Sequence, residues 1–220
     1  MSGFFGFIPS NDLLKNIQEA QAKRNSKEPL YLLRDKIAMQ MNDEILDHVL
    51  IDLIHHFPAS EKKVTAEKLV GYIKSTVHVL LKQLLNKSSN EQVQASLDFI
   101  ERSLFKDSQG QLRVGAPLDQ SFSAQLKSSY TALLDGAKAK DMRPILVEQY
   151  KQFADQLIHH FMIEFNRTLD LGMIKRKAAD IGASAVTKAV HIGVDKLIPH
   201  LTSQELLILA KEHDDLIHQN

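Results

Sequence analysis

The sequence predicts an all-α protein, a bundle of about eight helices, and three observations carry that expectation. Apolar residues recur at spacings of three and four along almost the whole chain. No segment keeps the period-two alternation, rich in β-branched residues, that a half-buried strand shows. Most of the periodic stretches also open on a residue suited to a helix start: Ser, Thr, Asp or Asn at the N-cap, or Pro in the first turn.

Taken in order, Ser10 caps a first helix with Leu13, Leu14, Ile17 and Ala20 on one side. Pro29 opens a long second helix that runs to Phe57, where Pro58 stops it. Ser60 or Thr65 caps a third, whose stripe includes Leu69, Ile73, Val77 and Leu84, and Ser89 or Asn90 caps a fourth through Val93, Leu97, Ile100 and Leu104. Asp119 or Ser121 opens a fifth through Phe122, Leu126, Tyr130 and Leu133, which ends near Gly136. Asp141 and Pro144 open a long sixth helix that reaches about Leu169. The seventh, residues 173–197, carries small residues at helical spacing, and GASA at 182–185 is a device for close helix packing. Thr202 with Glu205 forms a capping box for the last helix, through Leu206, Leu209 and Ala210.

The order short, long, long, medium occurs on either side of KDSQGQLRVGAPLD, residues 106–119, where Gly110, Gly115 and Pro117 interrupt the periodicity. This segment is expected to be a linker loop between two related four-helix units, 1–105 and 120–220, which need not have separate cores. The pentapeptide LIHHF strengthens the parallel, since it occupies residues 53–57 of the second helix and 157–161 of the sixth.

Composition narrows the function. The 220 residues include 27 cationic and 27 acidic side chains, so there is no net field to attract a polyanion, and nucleic acid is not an expected partner. With no cysteine, disulfides, thiolate nucleophiles and cysteine-based metal sites are excluded. No apolar run is long enough to span a bilayer, and the N-terminal segment lacks the pattern of an export signal, so a cytoplasmic location is expected. Phe4, Phe5 and Phe7 are expected to pack on the protein's own body, with contact to a membrane surface or partner as the alternative.

Each LIHHF copy can be placed on its helix at about 100° per residue. Leu53, Ile54 and Phe57 define an inward direction, His55 points away, and His56 sits at the margin; His159 and His160 repeat the pattern. The row Glu44, His48, Asp52 and His55 is expected to face water. If the two long helices pack side by side, Asp52, His56, His160 and Glu164 could converge as a metal site suited to zinc, iron or manganese. The Glu-x-x-His pairs of di-iron bundles are absent. The alternative fate of each marginal imidazole is a bond to a carboxylate or carbonyl at a helix seam.

No phosphate loop, nucleophile elbow or HExxH helix is present. KRKAAD at 175–180 reads as solvated surface, and His213, Asp214, Asp215 and His218 lie in a C-terminus expected to fray. The leading expectation is a non-catalytic helical protein that presents an apolar groove to a protein or a hydrophobic ligand. The competing one is a metal-binding protein or metal-dependent enzyme using the LIHHF helices. The sequence specifies neither a cofactor nor an oligomeric state.

Overall fold

The structure, a computed structural model, describes residues 3–219. Eight helices form among the described residues, as expected. They are α1 (Asn11–Ala22), α2 (residues 31–56), α3 (Glu61–Leu84), α4 (Asn90–Arg102), α5 (Gln120–Leu134), α6 (residues 139–168), α7 (Met173–Leu197) and α8 (Ser203–Asp214). The side chains of Ser10, Ser60 and Asp119 accept from the backbone N–H three residues on, and Ser89–Gln92 and Thr202–Glu205 form full capping boxes. Phe57 leaves α2 in extended conformation, as the residue before a proline must.

Neither long second helix is uniform. In α2 the α-helical piece Tyr31–Leu46 passes through a π-helical turn, Asp47–Ile51, before resuming at Asp52–His56. In α6 the piece Ala139–Ile158 passes through His159–Glu164 before Phe165–Thr168. Each π-turn inserts one residue, so Asp52 N–H reaches back to Asp47 O and Phe165 N–H to His160 O. The insertion resets the inward register. A straight α2 in phase with buried Ile37, Met41 and Ile45 would aim Asp52 and His56 inward, within about 20° of Ile45; the π-turn brings buried Leu53 and Phe57 there instead. In α6, phase with Leu157 would bring in Glu164 and Thr168, but Phe165 and Leu169 are buried.

The sheet is the main departure from expectation. Strands β1 (Gly3–Phe7), β2 (Leu104–Lys106), β3 (Leu112–Leu118) and β4 (Ile217–Gln219) form one antiparallel sheet in the order β2-β3-β1-β4. Residues 106–119, expected as a linker loop, therefore supply the end of β2 and all of β3. The residues that hid the strand are the ones it needs. Gly115 stands opposite Gly6, and a Cβ there would lie 1.8 Å from Phe5 O, so this close approach of strands requires glycine. Pro117 pairs with Phe4 beyond the last β2 partner, Val114, so its missing N–H leaves no ladder bond unmade on that side.

All five β1 residues are buried, so Phe4, Phe5 and Phe7 offer no surface to a membrane or partner. Phe4 stacks between Phe105 and His218, at centroid distances of 4.7 and 4.8 Å, while Phe5 meets the edge of Phe153 and Phe7 packs on His48. Residues 217–219, expected to fray, are likewise tied down as β4. One continuous apolar core runs from Phe5 to Ile217 and draws on both halves of the chain.

Candidate functional site

The four residues expected to converge on a metal do not meet. Asp52 pairs with His48 at 3.0 Å, and His56, expected at the margin, is exposed and 3.5 Å from Glu212 on α8. The π-turn accounts for both, since its extra residue rotates them away from the core. Only His160 and Glu164 are partners, with Nδ1 2.9 Å from Oε2. His55 and His159 are exposed as predicted, and among the described residues no group of three or more His, Asp or Glu is placed to hold a metal ion.

His160 is instead a seam residue. Burial lowers its pKa below the usual imidazole value, so at neutral pH it carries one proton, which Nδ1 donates to the Glu164 carboxylate. Nε2 is then an acceptor, 2.9 Å from the hydroxyl of Ser103 at the C-terminal end of α4. Ser–His–Glu in this order is the connectivity of a hydrolytic relay. A nucleophile must also meet a substrate carbonyl, and Ser103 has no accessible surface. Its one hydroxyl proton is shared between His160 and Phe99 O at 3.0 Å, and the Phe99 ring covers the imidazole at a centroid distance of 4.7 Å. A polar cleft of about 460 Å³ beside His159, His160 and Glu164 does not include Ser103 among its walls. The arrangement joins α4 to α6.

A second feature is an apolar cavity of about 170 Å³ lined by α2, α3, α6, α7 and α8. Both π-turns line it, through Val49 and Leu50 of α2 and Phe161 and Met162 of α6. The LIHHF copies contribute Leu53, Ile54, Phe57, Leu157, Ile158 and Phe161. Their repeated apolar letters thus share one cavity, while their histidines point elsewhere.

Three lining residues have polar side chains: Asn42, Tyr150 and His213. Asn42 donates to Ala38 O on its own helix. Tyr150 and His213 belong to a buried chain whose proton order follows from its ends. Burial pushes the His213 pKa down to about 4, so the ring is neutral at pH 7. Nε2 lies 3.0 Å from Val49 O, which can only accept, so the ring proton is there. Nδ1 must then accept from Tyr150 O–H at 2.6 Å, and Tyr150 accepts from Tyr130 O–H at 3.0 Å. Burial raises both phenols, which stay protonated. Every donor in the chain is used internally, so the cavity offers a guest almost pure hydrocarbon.

His213 is held in α8 and not in a frayed end, and its spacing from Leu206, Leu209 and Ala210 puts it on the buried stripe of that helix. Ser103 gave no advance signal, because its role depends on a helix distant in sequence. Searches against protein-family models, curated proteins and solved structures give no match to this chain.

Proposed function

We propose that this protein is a non-catalytic binding protein for an apolar small molecule, held in the cavity between the two LIHHF helices. One observation carries the proposal: the cavity wall is hydrocarbon except for three polar residues, of which Tyr150 and His213 donate only to protein acceptors and Asn42 donates to Ala38 O. An empty space of that character costs the protein lost dispersion contacts, and a cavity of about 150 Å³ with apolar walls takes up a guest the size of benzene. The guest class is therefore a hydrocarbon ring or a short acyl segment, recognised by shape and burial rather than by hydrogen bonds. The π-turns support a role for this space, since such turns cluster at functional sites and here two of them line it. Their presence in both long second helices also favours the reading of two related four-helix units. A cytoplasmic setting is part of the same proposal.

Titration with N-phenyl-1-naphthylamine, a neutral dye that brightens in apolar surroundings, tests it. Saturable enhancement at one dye per chain is expected, with competition by fatty acids or alkylbenzenes. A linear, unsaturable signal, equal to that of an unrelated helical protein, would rule the site out.

A further inference from the structure

The outer side of α3 and α7 presents a second apolar surface, unrelated to the cavity. The two helices pack antiparallel at small residues: a Cβ on Gly182 would meet the Leu80 side chain at 2.5 Å, and one on Gly193 would meet Leu69 at the same distance. Ile181 and Ile192 directly precede those two glycines, and Val79 directly precedes Leu80. In an antiparallel pair, the residue one position before each contact point falls on the same side of both helices. Ile174 lies seven residues before Ile181, and Tyr72 seven before Val79, so both return to that side within about 20°. All five are exposed, from Ile192 at 44% to Ile174 at 87%. Isolated exposed apolar residues need no explanation, but five aligned on one face of two helices do.

The charge around this face indicates its partner. α3 and α7 each contain five Lys or Arg and two Asp or Glu, a formal +3 apiece in a chain whose formal charge is zero. Lys68, Lys82, Lys175, Arg176, Lys177 and Lys188 make no ion pair among the described residues. The run KRKAAD is thus the cationic margin of an apolar face. Pairing of two copies through it would bring like charges together across a twofold axis, which is costly. Exposed Ile and Tyr flanked by lysine and arginine match the interface of a bilayer that carries anionic lipid.

We infer that the α3–α7 outer face docks the protein onto an anionic membrane surface. This stands on side chains other than those that line the cavity and is tested separately. Flotation with vesicles of phosphatidylcholine alone, and of three parts phosphatidylcholine to one part phosphatidylglycerol, reads it directly. The full chain is expected to float with the anionic vesicles, to stay down with the neutral ones, and to lose binding as salt is raised. Ile174→Ser with Ile181→Ser, and separately Lys175→Glu with Arg176→Glu and Lys177→Glu, should each weaken binding about tenfold or more. These positions are on the surface, so circular dichroism should report an unchanged fold and dye binding in the cavity should persist. The inference is overturned if the wild-type chain does not float with anionic vesicles, or if both sets of substitutions leave flotation unchanged. It is also overturned if sedimentation shows that the isoleucines hold a dimer and the vesicles bind nothing.

Discussion

His213 shows how a single buried group can dominate the response of this protein to acid. Its pKa is about 4 in the folded chain and near 6.5 once unfolded. Between those values the unfolded state binds a proton that the native state refuses, so stability is fully present above about pH 6.5 and falls as pH drops towards 4. At pH 5 the loss from this residue is on the order of 2 kcal/mol. Burial lowers the pKa values of His160 and His218 as well, so both act in the same direction. Urea unfolding at about pH 7 and pH 5 should show the decline, and His213→Gln should flatten it. An equally steep decline in the variant would mean that His213 is not held neutral. Much of this site could be read in advance. Tyr130 and Tyr150 fall on the inward stripes of α5 and α6, and the spacing of His213 from Leu206, Leu209 and Ala210 places it inward too. The bond to Val49 O was illegible, because no local pattern reports which carbonyl a distant imidazole will reach.

At the level of the element, helix starts were legible because a cap is a local interaction, made within three residues by Ser, Thr or Asp. The strands were not, because Gly115 and Pro117 break a helix in any context and are tolerated in β3 only through the partners it happens to have. The π-turns were invisible for a related reason: an inserted residue looks the same as a drift in periodicity until the buried set on both sides is known. Two glycine substitutions separate these effects. Gly115→Ala would force its methyl into the backbone of β1 and should lower stability by about 4 kcal/mol or more. Gly71→Ala, inside α3 with no atom within 4 Å of the new Cβ, should raise it by about 0.5–1 kcal/mol. Thermal denaturation of the pair checks both signs, and a neutral Gly115→Ala would mean that β1 and β3 are not paired as described.

For the molecule as a whole, the sheet gathers the start, middle and end of the chain into one place. β1 pairs with β3 on one edge and β4 on the other, and Phe5 and Phe7 enter the common core. Removal of residues 1–9 should therefore abolish cooperative unfolding rather than subtract a membrane contact, and a truncated chain that melts as sharply as the full one would contradict this. Around that clasp the eight helices leave a hydrocarbon space between the two π-interrupted helices, and the central claim is that this space receives a guest. The most direct measurement compares dye affinity in the wild-type chain with that in Ala154→Phe and Val190→Phe, which place rings inside the cavity. An affinity loss of about tenfold or more, at an equal or higher melting temperature, is predicted from the occupied volume. Unchanged affinity in both folded variants would show that the dye binds elsewhere and that the cavity is only a packing defect.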